Sequence, residues 1–403
     1  MLTLSQETAF HRIMSWYNTG ISKVFRLGGP AGSGKSYLIK LIAEEVGMSK
    51  CLLITPTGKA SNNLIKSGLH SHTIHSQIYT ASSEDKIKVR GDLEALIDDL
   101  SNMSDEELDE LEKSGELQRR AEHIHKPTIY DVNNVEYTLN EPETLEKYQL
   151  FIIDEGSMVG DKLLADIMSF NKPVLLVGDP HQLQPVNDVS VFTECDFYLT
   201  DIVRQAQGSP VIWLSQQILN GSIPTGAFGT SQVRHGEATL DELRYADEVL
   251  TDTNAARDRL NQKIRPLYIP MRELCEPFAI GDKIICRTNQ DLKSDAGFVL
   301  TNGAQGYLTK LKSISDDRLV YSIVMSSLEL GNFSFRGTQR PELFRRDERP
   351  AKLELAYAIT VHLSQGSEWD NVIYAVSKKL TKSALYTAIT RARNSVLVTL
   401  PNY

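Results

Sequence analysis

The stretch VFRLGGPAGSGKSYLIKLIAEEV, residues 24–46, decides the fold. A short apolar run, a glycine-rich loop and apolar residues at helical spacing follow one another, which predicts a strand, a loop and a helix. Within it, residues 29–36 satisfy GxxxxGK[ST] between strand and helix, the context that makes this pattern specific for a phosphate-binding loop. Further short apolar runs end in polar residues, as strands buried on both faces of a parallel sheet do; they are CLLITPT, QLFIIDE and PVLLVGD. We therefore predict a doubly wound α/β core with its chemistry at the carboxyl ends of the strands.

A second stretch of alternating predicted strands and helices indicates a second domain. It begins near Val211, includes the strand and helix of DEVLTDTNAARDRLNQKI and closes at LYTAITRARNSVLVTL. Since single cores stop growing near roughly 250–300 residues, a chain of 403 residues with 41% hydrophobic content is expected to form more than one. Gly- and Asn-punctuated β segments predict a small β insert over 286–349, and the alternating TIYDV and VEYTL around two asparagines predict a hairpin.

The net charge of −9 argues, by itself, against a nucleic-acid ligand, because phosphate binding calls for a basic face. The charge is concentrated, however: residues 81–126 hold 14 acidic and 7 basic residues in an acidic helical insertion. The four cysteines form no CxxC pair, so we expect reduced, buried thiols and no structural zinc. No run approaches the roughly 20 apolar residues that span a bilayer, and the N-terminus lacks the pattern of a signal peptide, so a cytoplasmic protein without a membrane anchor is expected.

The glycine loop supplies the candidate nucleotide site. Glycines let backbone N–H groups surround phosphates at a helix N-terminus, where the helix dipole favours negative charge. Lys35 is predicted to reach the β- and γ-phosphates, and the Ser36 hydroxyl to bind Mg²⁺. The loop residues are Gly29, Pro30, Ala31, Gly32, Ser33, Gly34, Lys35 and Ser36. The pattern predicts a nucleoside triphosphate with Mg²⁺ as the ligand.

Two carboxylates end the buried strand LFIIDE. They are costly there unless they bind a cation or take part in catalysis. We assign Asp154 to Mg²⁺ and Glu155 to the base that polarises the attacking water. A surface strand end with solvated acids is the alternative.

An ordered series of further motifs extends over nearly the whole chain. The motifs are LSQETAF at 4–10, TPTGKAS at 55–61, HTIHS at 72–76, GDPHQLQPV at 178–186, LTDIVRQAQ at 199–207, AYAITVHLSQGSEWDNVIY at 356–374 and LYTAITRAR at 385–393. In this order they resemble the superfamily 1 DNA helicases, in particular the Dda/RecD-like branch. One departure is Leu363, where many members carry lysine.

The resemblance implies roles for individual residues. Around the nucleotide it implies that Gln6 reads the adenine and that Gln182 couples the nucleotide to DNA. It implies two arginines at the γ-phosphate, Arg204 and Arg391. It also places Gly366 and Glu368 toward ATP. For the DNA backbone it implies contacts from Thr55, Thr57, Lys59, His75, Thr360 and His362. A capped helix start remains an alternative for His72 and His75. A zinc site from His70, His72 and His75 is disfavoured, because no cysteine or acid lies near them in sequence.

The same resemblance implies two RecA-like domains, one at 1–80 and 145–210 and the other at 211–285 and 350–403. The insertion at 81–144 would contain a duplex-splitting pin near 127–139, and 286–349 the small β-rich subdomain. The implied activity is ATP-dependent 5′→3′ translocation on single-stranded DNA with unwinding at duplex junctions, by a monomer in phage replication or recombination, with a single-stranded-DNA-binding or replication protein as partner. The alternatives are a nucleotide-gated nucleic-acid-binding ATPase that does not unwind and a RecD-like subunit of a recombination nuclease. The latter is disfavoured because Gln6 lies so near the start. RNA as the track remains open.

Overall fold

The computed structural model describes residues 2–81, 130–132, 135–185, 188–201, 208–289, 292–313, 320–327, 329–340, 350–377 and 380–402. These residues form two compact units. The first comprises residues 1–73, 148–168 and 172–403, and the second comprises residues 74–147 and 169–171. Residues 82–126, nearly all of the predicted acidic helical insertion, lie outside the described residues, as does Arg204.

The described residues contain twenty strands. They are β1 (Val24–Gly28), β2 (Cys51–Thr55), β3 (His72–Thr73), β4 (Tyr79–Ala81), β5 (Tyr130–Val132), β6 (Val135–Leu139), β7 (Leu150–Ile153), β8 (Val174–Gly178), β9 (Phe197–Tyr198), β10 (Gly226–Phe228), β11 (Ser231–His235), β12 (Glu248–Thr251), β13 (Lys283–Cys286), β14 (Gln305–Ser313), β15 (Tyr321–Ser327), β16 (Gly331–Thr338), β17 (Ala351–Leu355), β18 (Ala358–Thr360), β19 (Trp369–Ala375) and β20 (Ala392–Leu400).

Nine α-helices lie within the same residues. They are α1 (Leu4–Thr19), α2 (Lys35–Val46), α3 (Gly58–Lys66), α4 (Ile74–Ile78), α5 (Asp161–Ser169), α6 (Pro210–Leu219), α7 (Leu240–Tyr245), α8 (Asn254–Ile264) and α9 (Lys382–Ile389). Two short 3-10 helices, Gly156–Met158 and Val361–Ser364, follow strands β7 and β18.

The first sheet has six parallel strands in the order β3-β2-β7-β8-β1-β9. Strands β2, β7 and β8 are buried along their whole length, which explains their continuous apolar sequence, because helices cover both faces of such a sheet. Ile13 of α1 and Leu38, Ile39 and Ile42 of α2 are fully buried in the same core. The phosphate-binding loop leaves the carboxyl end of β1, an interior strand between β8 and β9, as the strand–loop–helix sequence predicts.

The second sheet has the order β10-β11-β20-β19-β12-β18. Its strands are parallel except for the edge strand β10, which pairs antiparallel with β11. Helices α6 and α9 pack on it through Leu214 and Leu385, and Leu363 packs against the same core. At Leu363 the chain thus has an apolar packing residue where many relatives have lysine.

Strands β13 to β17 close into a barrel. Its core includes the fully buried Met325 and the buried Phe333 and Phe335. The insert was expected at 286–349, but its first strand begins at Lys283 and its last ends at Leu355. The boundaries were misplaced because KIIC and AKLEL read equally well as strands of the neighbouring α/β sheet.

The second unit contains α4 and a three-stranded sheet in the order β4-β6-β5. Strands β5 and β6 pair antiparallel, with Val132 opposite Val135 and two residues between them. This is the hairpin that the alternating sequence predicts. Its two turn residues, 133 and 134, lie outside the described residues.

The four cysteines are free. Cys51 and Cys286 are buried, but Cys195 is only half-buried and Cys275 is exposed, so the expectation that all four are buried was wrong for these two. Within the part of the chain that the structure describes, no helix is long and apolar enough to cross a membrane.

Candidate nucleotide-binding cleft

The phosphate-binding loop joins β1 to α2. Gly32 and Gly34 have φ values of 76° and 79°, a left-handed conformation that glycine adopts without steric cost. Gly34 caps α2 without a side-chain hydrogen bond, which leaves the first backbone N–H groups of the helix free for phosphate oxygens. Lys35 Nζ donates to the carbonyl oxygens of Gly29 and Pro30 at 2.8 and 3.0 Å, so the ammonium lies inside the loop.

Gln6 ties the N-terminal helix to this loop. Its Nε2 donates to the Ser33 carbonyl at 2.9 Å, and its Oε1 accepts from the Thr3 backbone N–H at 3.0 Å. Only 3% of Gln6 is exposed. The structure therefore shows Gln6 holding the loop, and adenine reading by its remaining hydrogen-bonding capacity stays a prediction.

Asp154 and Glu155 follow strand β7 at the carboxyl edge of the first sheet. Burial, reinforced by the neighbouring Glu155 carboxylate, raises the pKa of Asp154 to about 7. Glu155 adopts a φ of 56°, a conformation uncommon for a residue with a side chain and typical of functional sites. The backbone therefore turns sharply between the two carboxylates.

The donor set suits Mg²⁺. Ser36 and Asp154 line the same cavity, and hydroxyl and carboxylate oxygens are the ligands that this hard cation takes, usually beside phosphate oxygens and water. A cation there would offset the crowding of two partly buried acids. Within the described residues no group of three or more His, Cys, Asp or Glu side chains could hold a metal by itself, so the nucleotide would have to share the ion.

The segment after β8 brings two buried polar residues to the cleft. Asp179 is 1% exposed, and Gln182 is 5% exposed. Asp179 accepts from the backbone N–H of His181 at 3.0 Å. The Gln182 Oε1 atom is buried and has no hydrogen-bond partner among the described residues. A buried acceptor without a donor is costly, so Gln182 is suited to a ligand or to a water molecule that the ligand orients.

The second domain contributes Arg391, which is only 4% exposed. Its guanidinium donates to the carbonyl oxygens of Thr387 and Ser367, each at 3.2 Å. These bonds fix the orientation of the planar guanidinium and its fork of donors. Arg391 lines the same cavity as Lys35.

Three hydrogen bonds join the segment after β8 to the second domain. Tyr386 Oη donates to Asp179 Oδ2 at 2.7 Å. The Leu183 backbone N–H donates to Thr387 Oγ1, and the Leu183 carbonyl accepts from Gln365 Nε2, both at 2.9 Å. The sequence reading missed Tyr386, Thr387 and Gln365. All three lie within motifs that it quoted, but only the fold shows that their side chains face the first domain.

One cavity of about 960 Å³ is lined by Lys35, Ser36, Asp154, Glu155, Asp179, Gln182 and Arg391. It is lined by the phosphate-binding loop, both acids after β7 and residues of the second sheet and the barrel. Gly366, with a φ of 73°, and Glu368, which pairs with Arg393 at 3.4 Å, also line it. The structure thus brings together Lys35, Ser36, Asp154, Glu155, Gln182, Gly366, Glu368 and Arg391.

The residues implied as DNA contacts are more scattered. Thr55 is fully buried and donates to the Thr57 carbonyl at 2.8 Å, so it positions the loop before α3 and cannot touch DNA unless that loop moves. Thr57 caps α3 through the Ala60 N–H at 3.3 Å. Thr360 is 8% exposed and His362 is exposed.

The two remaining implied contacts differ in setting. His75 belongs to the second unit, where its ring lies 5.4 Å from that of Tyr79, and burial lowers its pKa. Lys59 lines the cleft, with its ammonium 4.9 Å from the centre of the Trp369 ring.

Two family models match the chain. One, described as an AAA domain, matches residues 1–236, and the other, described as a UvrD-like helicase C-terminal domain, matches residues 355–399. The ATP-dependent RecD2 DNA helicase of Deinococcus radiodurans is 29% identical over 307 residues, which cover 68% of this chain and 39% of the relative. A conjugal transfer protein TraA of Rhizobium radiobacter is 24% identical over 281 residues, covering 63% of this chain and 24% of the relative. The chain thus spans well under half the length of these curated relatives.

Solved structures share the fold over almost the whole chain. Bacteroides Pif1 bound to single-stranded DNA matches with a TM-score of 0.56 and 20% identity, covering 99% of this chain and 92% of the other. Candida albicans Pif1 matches with a TM-score of 0.55 and 17% identity, covering 99% and 94%.

Two mainly parallel sheets, a phosphate-binding loop after a strand of the first and an arginine just before β20 of the second in the same cleft define a P-loop fold with two RecA-like domains. The chain belongs to the AAA-domain family.

Proposed function

We propose that the chain is an ATP-dependent DNA helicase that moves 5′→3′ on single-stranded DNA and separates duplexes. The observation that carries the proposal is the shared cavity: Lys35 of the first domain and Arg391 of the second line it together. A nucleotide bound there would touch both domains, so binding and hydrolysis would change the equilibrium between closed and open cleft.

The residues at the cleft have different roles in ATP hydrolysis. Lys35 and Arg391 supply positive charge to the phosphates, and Glu155 accepts the proton of the attacking water. Mg²⁺, held by Ser36 and Asp154, would neutralise charge that develops on the phosphate oxygens. Arg204 is proposed as a second arginine at the γ-phosphate by resemblance alone.

Gln182 is the proposed link between ATP and DNA. Its unpartnered Oε1 faces the cleft, and the chain immediately after it is bonded to Thr387 and Gln365 of the second domain. A water or phosphate that forms a hydrogen bond with Gln182 would therefore displace the segment whose next residue is bonded to the second domain.

The DNA track is proposed from Thr57, Thr360 and His362 of the first unit, and a separate DNA contact by His75 of the second unit is proposed by resemblance alone. Thr57 lies at the N-terminus of α3, where backbone N–H groups favour a phosphate. Single-stranded DNA would cross both RecA-like domains, and the β5–β6 hairpin would act as the pin.

Similarity to named relatives supports the finer points. RecD2 is named as an ATP-dependent DNA helicase, and a Pif1 neighbour was solved with single-stranded DNA. From the resemblance of the motifs we propose that the chain works as a monomer on single strands and duplex junctions in replication or recombination. The Dda-like branch, a phage origin, action in the cytoplasm and partnership with a single-stranded-DNA-binding protein are part of the same proposal.

Two substitutions test the nucleotide site. Lys35→Ala should abolish ATP hydrolysis because the γ-phosphate loses its positive partner, while DNA binding without nucleotide survives. Glu155→Gln should still bind ATP but turn over slowly, since an amide cannot take the proton from water. Lys50→Met, which removes an exposed charge outside the cleft, is the control. ATPase activity at the parental rate in either cleft variant would overturn the assignment.

Tailed duplexes test the motor. Unwinding should require a 5′ single-stranded tail, and binding should weaken steeply with salt because the track is held through phosphates. Parallel ATPase assays with DNA and RNA oligonucleotides identify the track. ATPase stimulation without unwinding of any tailed duplex would favour the nucleotide-gated binding module, the second candidate, and unwinding from a 3′ tail alone would exclude the 5′→3′ branch.

A further inference from the structure

Three parts of the first unit meet at helix α3. Asn63 Nδ2 donates to the Gly366 carbonyl at 2.6 Å, and Lys66 pairs with Glu329 next to barrel strand β16 at 2.6 Å. A Cβ atom on Gly58 would lie 2.3 Å from Thr301 Cγ2. The start of α3 is therefore packed against the barrel and against the loop that precedes β19.

Lys59 points into this junction. Its Nζ is buried and has no hydrogen-bond partner in the described part of the chain, and it lies 4.9 Å from the centre of the Trp369 ring. Burial lowers the pKa of Lys59 to about 8, although nearby Glu248 opposes the shift. At neutral pH the Lys59 ammonium is therefore mostly charged. In the described part of the chain, it lies over the aromatic face of Trp369.

The other charges at the junction are already paired. Lys283 Nζ lies 3.2 Å from Glu248 Oε2, which also accepts from Gln305 at 2.8 Å, and Lys66 is bound to Glu329. Among the described residues at this junction, Lys59 is thus the cation without a hydrogen-bonded or ion-paired partner. An apolar side chain of similar length would avoid the cost of burying a charge without a hydrogen bond, so stability alone does not account for a lysine here.

Trp369 connects this contact to the nucleotide. Its backbone N–H donates to the Arg391 carbonyl at 2.9 Å, and Arg391 in turn donates to the Ser367 carbonyl two residues before the tryptophan. A displacement of Trp369 therefore reaches the arginine of the cleft through one hydrogen bond.

We propose that Lys59 and Trp369 form a coupling pair, made when the RecA-like domains close on nucleotide and broken when they open. Lys59 is then a positioning residue of the motor, a role that rests on the proposed function, and in the open cleft its ammonium leaves Trp369 for solvent. This differs from a permanent DNA contact, because a buried ammonium cannot hold Trp369 and reach the DNA backbone at the same time.

The test is a double-mutant cycle on nucleotide-dependent DNA affinity. Binding of a fluorescent single-stranded oligonucleotide is measured with and without a non-hydrolysable ATP analogue, for the full chain and for Lys59→Met, Trp369→Leu and the double variant. The ratio of the two dissociation constants is the coupling factor. In each single variant the coupling factor should be closer to one than in the parent, with a change of about threefold to thirtyfold. This is the range for a desolvated cation–π contact. The double variant should lose no more than one single variant.

Matched controls separate this effect from damage to the fold. Trp213→Leu removes a tryptophan that stacks on Phe228 away from the cleft, and Lys50→Met removes an exposed lysine. Both should keep the parental factor. Trp369→Phe, which retains an aromatic face, should keep more of the factor than Trp369→Leu.

Three outcomes would overturn the inference. Losses that add in the double variant would show that the residues act separately. Weaker nucleotide-free binding by Lys59→Met, with a salt dependence reduced by about one phosphate contact, would make Lys59 a direct DNA contact. A parent chain that binds DNA equally with and without the analogue would refute the coupling, and one that binds no DNA would refute the proposed function as well.

Discussion

The hydrogen bond between Tyr386 and Asp179 contributes to the free energy that holds the two RecA-like domains together in the closed arrangement. Tyr386 is fully buried and Asp179 is 1% exposed, and the hydroxyl donates to Oδ2 at 2.7 Å. The other carboxylate oxygen accepts from the His181 N–H. Tyr386→Phe removes one oxygen and leaves the packing of the ring, so its effect reports the hydrogen bonds of this hydroxyl, to Asp179 and to the backbone of Ala31.

A hydrogen bond to a charged group contributes about 1.5–3 kcal/mol, and removing the donor leaves Oδ2 buried without a partner. The two residues belong to different domains, so water can solvate the carboxylate when the cleft opens. The loss therefore falls on the closed arrangement and shifts the opening equilibrium by roughly 10- to 150-fold. We expect weaker nucleotide binding and slower DNA-stimulated hydrolysis, measured by nucleotide titration and steady-state ATPase assays.

Tyr374→Phe is the matched control. Tyr374 is fully buried in the second domain, and its hydroxyl has no hydrogen-bond partner in the described ranges. Its removal should leave nucleotide affinity and turnover unchanged. Equal effects of the two substitutions, or no effect of Tyr386→Phe, would refute the view that this bond holds the cleft closed.

Three further outcomes are expected. Gly58→Ala should destabilise the chain by about 1–3 kcal/mol in urea denaturation, because the new Cβ overlaps Thr301. Adding Thr301→Gly to this variant should restore stability. Since alanine is otherwise the better helix former, a Gly58→Ala variant that is more stable than the parent would contradict the packing. Replacing residues 129–138 with a short Gly-Ser linker should abolish unwinding while DNA-stimulated ATPase persists; intact unwinding, or joint loss of ATPase and folding, would instead mean that the hairpin only packs. The nucleotide-dependent gain in DNA affinity should fall as pH rises through about 8, because the lowered pKa of Lys59 makes its ammonium neutral there, and a Lys59→Met variant should show no such fall. The charged groups that face Lys59 are Glu248, Lys283, Glu329 and Lys66.

The barrel and the hairpin show how far the sequence reading extends. The alternation in TIYDV and VEYTL predicted β5 and β6 because side-chain direction in a strand repeats every two residues. The barrel was predicted as a β insert, but its limits were not. KIIC and AKLEL are apolar enough for either the barrel or the second sheet, and only strand pairing decides between them.

The sequence by itself determined the phosphate-binding loop, the acids after β7 and the order of the motifs. These are local patterns, in which the spacing along the chain fixes the chemistry of Lys35, Asp154 and Glu155.

Tertiary structure alone decided which side chains face each other across the cleft. Tyr386 and Asp179 are 207 residues apart, and nothing in either segment predicts that they share a hydrogen bond. Lys59 was read as a DNA contact because its motif resembles one, but the packing of α3 against the barrel buries its ammonium over Trp369. Periodicity and spacing report neighbours on one element, whereas the burial of a charge depends on every element that packs around it.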